Sequence, residues 1–288
     1  MGTDGFNVID CHHHSGSLEA LGIMNPTGAG SAEEVAAQEL QARLDSMDAT
    51  GVDQAILIPG HGYIRPDGMA DTRRVNDHIA AYRDGLPSRF PAAMGVVEPM
   101  YGRRGLDEVQ RCKDELGLAG ISFHTRFQGV ATNSPLVLTL VTRMVDLGLV
   151  PYVHAVAEVA DEALWKVQEV ARAVPDTPIV VLDGFSSFER AEEALRAAEL
   201  TPNLVFDMSL AHSFGTIEHF VRRHGAERVV FGTDLYSHVR AGKNHILEGL
   251  LASTLEDDAK RAILAGNISR ILGLPAVTGA THASTKGA

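Results

Sequence analysis

The stretch FNVIDCHHH, residues 6–14, joins a short apolar run to a cluster of three histidines. The apolar part, Phe6–Ile9, is typical of a buried strand. A nucleotide-binding sheet usually carries a glycine-rich turn after its first strand, but here the run is followed by Asp10-Cys11-His12-His13-His14. The stretch therefore indicates an α/β protein whose first strand ends in a site built with imidazole side chains.

The pattern of an apolar run followed by a helical stretch recurs along the chain of 288 residues. We predict eight strands: Phe6–Ile9, Gln54–Ile58, Ala92–Val97, Gly120–Phe123, Val150–Val153, Ile179–Leu182, Leu204–Asp207 and Val229–Phe231. Continuous apolar strands that alternate with helices favour a parallel sheet covered on both faces. Eight such units predict an α/β fold of the (β/α)8 TIM barrel type, which typically needs about 250 residues. We expect a single barrel domain over residues 1–274 and a disordered tail over residues 275–288.

Composition and charge restrict the partners. The 25 basic and 37 acidic residues give a net charge of −12, which argues against nucleic acid and anionic membranes as partners. The sequence has no apolar run of about 18 residues, the length that a membrane span requires, and no apolar segment typical of a signal peptide. Its two cysteines follow no disulfide or metal spacing. We therefore expect a cytoplasmic protein that acts on a small molecule.

The histidine cluster has a definite geometry if it continues the first strand. His12 and His14 are two residues apart, so their side chains point to the same face of an extended chain. His13 should point to the opposite face. Cys11 should point with His13 and serve as a small core residue.

Other ionisable residues stand at the ends of other predicted strands, where barrel enzymes place their catalytic groups. His154 follows the fifth strand and Asp234 follows the eighth. Together with His12 and His14 they would give a mixed nitrogen and oxygen ligand set for one divalent ion. Zn²⁺ suits this set best, and Mn²⁺ and Fe²⁺ are the alternatives.

Candidates for substrate binding follow three of the strands. Arg126, after the fourth strand, has the forked geometry that binds a carboxylate, and His124 could form a hydrogen bond with the same group. The alternative for Arg126 is an ion pair with a local acid on the barrel rim. His61, after the second strand, and Tyr236, after the eighth, are weaker candidates for substrate binding.

Several motifs resemble the amidohydrolase superfamily, in particular the amidohydrolase-related branch that includes aminocarboxymuconate semialdehyde decarboxylase. They are Ile-Asp-Cys-His-x-His at residues 9–14, Pro-Tyr-Val-His at 151–154, Gly-Thr-Asp at 232–234 and the closing segment 266–274. The resemblance implies that His12, His14, His154 and Asp234 bind the metal, and that Asp234 accepts and passes a proton. A divalent metal lowers the pKa of bound water to about 7 and so supplies hydroxide at neutral pH.

The chain departs from the family pattern at the sixth strand, where members commonly carry a histidine. Here the residues are Asp183-Gly184. The favoured register puts Gly184 at the position of that histidine, and a shift of one residue puts Asp183 there. Asp183 could supply a catalytic carboxylate, or it could be bonded only to neighbouring backbone.

The family allows two main reactions. We favour metal-dependent hydrolysis of a small, carboxylate-bearing amide, lactone or ester through a metal-activated water. The alternative is non-oxidative decarboxylation of a small aromatic or unsaturated carboxylic acid. Hydration of a double bond, and a barrel that binds metal without turnover, are lesser alternatives. The resemblance also suggests a homodimer.

Overall fold

The computed structural model describes residues 3, 5–15, 31–59, 67–157, 159–235 and 244–275. Its central feature is one sheet of eight parallel strands in sequential order. The strands are β1 (Ile9–Ser15), β2 (Gln54–Pro59), β3 (Ala92–Gly95), β4 (Gly120–Phe123), β5 (Val150–His154), β6 (Ile179–Leu182), β7 (Leu204–Asp207) and β8 (Val229–Val230).

Helices connect the strands on the outside of the sheet. They are α1 (Ala32–Thr50), α2 (Met69–Gly85), α3 (Arg103–Asp114), α4 (Pro135–Asp146), α5 (Leu164–Ala173), α6 (Phe188–Leu200), α7 (Phe214–His224), α8 (His245–Ala252), α9 (Asp257–Arg261) and α10 (Asn267–Leu272). A π-helix, Ala262–Gly266, joins α9 to α10. No helix in these described segments is long and apolar enough to cross a membrane.

The sheet closes on itself between its first and last strands. The backbone N–H of Cys11 donates to the carbonyl oxygen of Phe231 (2.9 Å), and the N–H of Asp234 donates to that of His12 (2.8 Å). These bonds lie just beyond the end of β8, beside β1. The predicted (β/α)8 TIM barrel is therefore confirmed.

Two apolar layers fill the fold, one on each side of the strands. Alternate residues of the strands, such as Ile56, Met94 and Val180, pack inside the barrel. The residues between them, such as Leu57 and Val181, pack with the helices in the larger outer cluster. Strands buried on both faces explain the continuous apolar runs of the sequence.

The first strand differs from the prediction. It spans Ile9–Ser15 instead of Phe6–Ile9, so the histidine cluster lies within the strand. Its pairing with β2 shifts by one residue between Asp10 and His13, which is the signature of a β-bulge. The prediction that Cys11 points with His13 is wrong, because Cys11 packs with Ile9 inside the barrel.

Candidate metal centre

Three imidazole rings meet at the carboxyl ends of β1 and β5. Nε2 of His12 lies 3.0 Å from Nε2 of His14. His154 completes a group whose ligand nitrogens all lie within 4.8 Å of one another. All three side chains are buried. The structure thus brings together the three histidines that the sequence predicted as metal ligands.

The other ring nitrogen of each histidine is held by an oxygen atom. Nδ1 of His12 donates to Oδ2 of Asp207 (2.7 Å). Nδ1 of His14 donates to the carbonyl oxygen of Pro59 (3.2 Å), and Nδ1 of His154 donates to that of Phe123 (2.9 Å). Since carbonyl and carboxylate oxygens only accept, they fix the proton of each neutral ring on Nδ1. Each Nε2 then carries a lone pair, as in histidines that bind metals.

The close approach of His12 and His14 tests whether a metal fits. Two lone pairs 3.0 Å apart repel unless a positive charge lies beside both of them, either a proton shared between the rings or a metal ion. Metal–nitrogen bonds of about 2.0–2.1 Å bring two ligand nitrogens to roughly 3 Å from each other. The nitrogens therefore fit a divalent cation.

Asp234 supplies an oxygen atom to the same place. Its Oδ1 lies 3.3 Å from Nε2 of His14 and 3.6 Å from Nε2 of His12. The residue has a φ of 50°, in the left-handed region that non-glycine residues rarely adopt. Its backbone N–H is bound to the carbonyl oxygen of His12, so β1 holds this turn in place.

The end of β6 presents Asp183, and not Gly184, to the metal centre. Asp183 has a φ of 60°, and this turn breaks the alternation of the strand. Oδ1 of Asp183 lies 3.8 Å from Nδ1 of His12, and Asp183 forms a second group of possible ligands with His12 and Asp234. A Cβ atom on Gly184 would instead lie 2.8 Å from the ring of Phe206, outside the barrel interior. Of these two residues, Asp183 is therefore the one that reaches the metal centre.

Three buried carboxylates give the centre a strong negative potential. Burial opposes protonation of His12, but Asp234, Asp183 and Asp207 outweigh it and raise its pKa to about 10. Burial lowers the pKa of His14 to about 4 and also lowers that of His154. Burial and its acidic neighbours raise the pKa of Asp183. The surroundings of His12 therefore favour a positive charge, which a bound cation would supply.

Sequence reasoning missed the residues that support these ligands. Asp207, at the end of β7, accepts from His12, and the hydroxyl of Ser209 contacts the carboxylates of Asp207 and Asp183. Asp207 was recognisable as a carboxylate at a strand end, like Asp234. Nothing in the sequence distinguished Ser209, because a serine after a strand is usually a turn residue.

The opposite side of β1 also carries polar groups. His13 points away from the metal centre, as predicted, and its Nδ1 lies 2.9 Å from Oδ2 of Asp10. The same carboxylate accepts from the backbone N–H (2.9 Å) and hydroxyl of Thr233. Arg43 of α1 is fully buried and donates to the carbonyl oxygen of His14 (2.6 Å). These contacts fix β1 against β8 and α1.

The end of β4 adds a stack of rings beside the metal centre. The ring of His124 lies parallel to that of His154, with centroids 4.1 Å apart. Phe127 meets His124 edge-on at 4.6 Å, and the guanidinium of Arg126 lies 4.2 Å from the Phe127 ring centroid. Arg126 is exposed and forms no ion pair with any carboxylate among the described residues. Nδ1 of His124 lies 2.6 Å from Oε1 of the buried Glu162, a residue that sequence reasoning also missed.

Two of the predicted substrate-binding residues, His61 and Tyr236, lie outside the described residues. The same holds for the predicted tail, apart from Pro275.

Comparison with solved structures finds the same fold in several proteins. The 5-carboxyvanillate decarboxylase of Sphingomonas paucimobilis is 15% identical, with a TM-score of 0.68 over 94% of this chain and 100% of that chain. The dihydroxybenzoic acid decarboxylase of a Polaromonas species, solved with bound manganese and 2-nitroresorcinol, is 16% identical, with a TM-score of 0.63 over 95% and 98%. A TIM-barrel protein of Bordetella bronchiseptica is 17% identical, with a TM-score of 0.72 over 93% and 99%.

Comparison of sequences gives a family but no individual relative. No protein with a curated description matches the chain. The amidohydrolase family profile matches residues 9–274, which include β1 with its histidines and every strand that follows. The chain therefore belongs to the amidohydrolase family.

Proposed function

We propose that this protein is a metal-dependent decarboxylase of a small aromatic or unsaturated carboxylic acid. The observation that carries the proposal is the series of contacts from His154 through His124 and Phe127 to Arg126. A guanidinium that is free of ion pairs within the described residues can form a forked pair with a carboxylate. The edges and faces of the rings beside it suit a flat, unsaturated substrate.

The metal ligands that we propose are His12, His14, His154 and Asp234. When bound, a divalent ion would polarise a substrate oxygen and stabilise negative charge that develops on it. The donor types suit Zn²⁺, and the Polaromonas decarboxylase was solved with manganese, so both ions are to be tested.

The catalytic residues that we propose are Asp234, Asp183 and His124. Oδ1 of Asp234 faces the imidazoles of β1 and is placed to give a proton to the substrate or take one from it. Asp183 would supply a second carboxylate beside His12 and Asp234. His124 lies between the metal ligand His154 and the Phe127 ring. Arg126 would bind and orient the carboxylate of the substrate.

Hydrolysis is the second candidate, and one observation favours it. Asp183 and Asp207 form their ion pairs within the described residues only with His12, so the centre is acidic. An acidic centre suits a neutral amide, lactone or ester better than a carboxylate, and a carboxylate there can act as a general base toward water.

Incubation of the Mn²⁺- and Zn²⁺-loaded protein with hydroxybenzoates, unsaturated acids, lactones and amides separates the two reactions. We expect release of CO₂ and a product with one carbon fewer. A product heavier by one water instead supports the hydrolase, and no turnover by either loaded form contradicts both.

Substitution of Arg126 tests the mode of binding. Arg126→Met should raise KM for acids by about tenfold or more, the worth of one charged hydrogen-bonded contact. KM for neutral substrates should stay unchanged. The exposed Arg172, in the last turn of α5, provides the control variant Arg172→Met. An equal rise in KM for acids and neutral compounds would remove Arg126 from carboxylate binding.

A further inference from the structure

Leu210 has a backbone conformation that a leucine rarely adopts. Its φ is 54°, in the left-handed region where the Cβ atom of an L residue comes too close to the backbone. It lies after β7 in a turn that is closed by the N–H of Ala211, which donates to the carbonyl oxygen of Met208 (3.4 Å). A positive φ at the third position of such a turn normally calls for glycine or asparagine. A leucine there is unfavourable for the backbone.

Packing in the core does not account for this leucine. Its neighbours Met208 and Ala211 are buried in the outer apolar cluster. Leu210 itself is only partly buried, and it belongs to neither apolar cluster of the described residues. The residue before it, Ser209, contacts the buried carboxylate of Asp207 that supports the metal centre. The leucine therefore stands at the edge of the centre and outside the core.

Left-handed backbone recurs at this end of the barrel. The non-glycine residues with a positive φ in the described part of the chain are Asp183 after β6, Leu210 after β7 and Asp234 after β8. The two aspartates reach the imidazoles of the metal centre. Strained backbone of this kind is concentrated at functional sites, where the surrounding structure tolerates it. The same conformation after β7 would direct the leucine toward the centre.

We propose that Leu210 is a specificity-determining residue that forms the apolar wall of the substrate pocket opposite Phe127 and sets the width of that pocket. Phe127 follows β4, and β7 lies three strands further around the eight-stranded barrel, so the two residues stand on opposite sides of the metal centre. The inference rests on the proposed function, because it specifies the surface against which the acid of that reaction packs.

The charges around the centre orient the substrate in the same sense. The carboxylates of Asp183 and Asp207 lie beside β7, and they would repel a substrate carboxylate. Arg126, beside Phe127, would attract it. The uncharged part of the substrate is thereby turned toward β7, where a leucine gives apolar contact and excludes water.

The first test separates this role from packing in the fold. Leu210→Gly removes the side chain and also the strain, because glycine adopts a positive φ readily. The Zn²⁺-loaded variant should therefore unfold at the same urea concentration as the loaded wild type, or at a higher one. A clear fall in that concentration would mean that the side chain stabilises the fold, and it would overturn the inference.

The second test measures the width of the pocket with two probes, benzoate and 2-naphthoate, by calorimetry on the Zn²⁺-loaded protein. Loss of the wall should weaken binding of benzoate to Leu210→Gly by about tenfold or more, as expected for carbon atoms removed from an apolar pocket. The wider 2-naphthoate should fill the space, so the ratio of the two dissociation constants should shift in its favour by about tenfold. An unchanged ratio would overturn the inference.

Two further variants serve as controls. Leu210→Asn tolerates the left-handed conformation and is nearly as large, but it is polar; it should weaken both probes and leave their ratio within about threefold of that of the wild type. Leu200, at the end of α6, is exposed at the opposite end of the barrel, and Leu200→Gly should change neither dissociation constant. A Leu210→Asn variant that binds both probes as the wild type does would contradict an apolar wall.

The outcomes for Leu210 and for the proposed function are distinct. If benzoate binds and its affinity depends on Leu210 as expected, but no acid releases CO₂, the decarboxylase proposal fails and the wall remains. If CO₂ is released and Leu210→Gly binds both probes as the wild type does, only the wall fails. A wild type that binds neither probe would overturn the wall, whichever reaction the protein catalyses.

Discussion

Oδ2 of Asp207 lies 2.7 Å from Nδ1 of His12, and both side chains are fully buried. This contact connects the end of β7 to β1, two positions away around the barrel. It fixes the proton of His12 on Nδ1 and turns Nε2 toward His14. A carboxylate in this position also increases the electron density of the ring, which strengthens a metal–nitrogen bond.

Asp207→Asn should therefore weaken metal binding without removing a ligand. Loss of such a supporting carboxylate typically costs about 10–100-fold in metal affinity. The measurement is competition with a chelator for Zn²⁺ and for Mn²⁺. Asp176→Asn, at an exposed site, is the control and should bind as the wild type does. Unchanged affinity in Asp207→Asn would show that this contact only supports the fold.

The ligand set itself is tested by metal content. We expect about one divalent ion per chain in the wild type, because the proposed ligands form one cluster that can coordinate one ion. The double variant His12→Ala, His14→Ala should contain almost none, whereas His13→Asn should retain the ion, because His13 points to the other side of β1. An ion retained by the double variant would contradict the proposed site.

The barrel could be predicted from the sequence because buried strands leave a local signal. The predicted bounds of β4, β6 and β7 agree with the structure, since each is a short apolar run between polar turns. The first strand was misplaced because its second half is polar and buried. Such a strand is stable only when distant groups, such as Asp207 and Arg43, satisfy its side chains and backbone, and an apolar pattern cannot show these contacts.

The candidate site could likewise be predicted only where the relevant residues are close together in the sequence. His12 and His14 could be predicted from their spacing, because strand alternation is local. The orientation of Asp183 could not, since it depends on a left-handed turn at the end of β6. Glu162 reaches His124 from a different loop, 38 residues away, so no spacing in the sequence indicates the pair.

Substitution of Gly184 tests the left-handed turn that follows β6 at Asp183. A Cβ atom there would lie 2.8 Å from Phe206, a buried ring. Gly184→Ala should therefore destabilise the protein by about 1–3 kcal/mol, the usual cost of overpacking a core. Chemical unfolding measures the free energy. Gly85→Ala is the control, because nothing lies within 4 Å of its added Cβ. If Gly184→Ala were as stable as Gly85→Ala, the side chain at 184 would have to point elsewhere.

Substitution of Arg43 tests how much its buried contacts between α1 and β1 stabilise the protein. Its guanidinium pairs with Glu39 and donates to the carbonyl oxygen of His14. Arg43→Met leaves Glu39 as a buried charge without its partner, so we expect a loss of about 3–5 kcal/mol in the free energy of unfolding. Arg196→Met removes an exposed pair with Glu199 and should cost less than about 1 kcal/mol. Similar losses in the two variants would mean that the buried pair contributes no more than an exposed one.

The raised pKa of Glu162 predicts that the free energy of unfolding falls as the pH rises. Burial raises its pKa from 4.5 to about 7; Arg126 and Arg190 oppose this shift, and Asp161 adds to it. Below about pH 4.5 the carboxyl group is protonated in both the folded and the unfolded protein, so it adds no penalty. Above about pH 7 it is ionised in both states, and the folded protein bears the cost of burying the charge.

The shift of about 2.5 pKa units corresponds to about 3 kcal/mol at about 1.4 kcal/mol per unit. The metal-free wild type should therefore lose about this much stability relative to Glu162→Gln as the pH rises from about 4.5 to about 7, and no more above that range, because the amide does not titrate. Urea unfolding of both proteins across this range measures the difference. Other groups that titrate contribute to both proteins and cancel in the difference. A difference that does not vary with pH would mean that Glu162 has an ordinary pKa, and a difference of opposite sign would mean that its ionised form stabilises the fold.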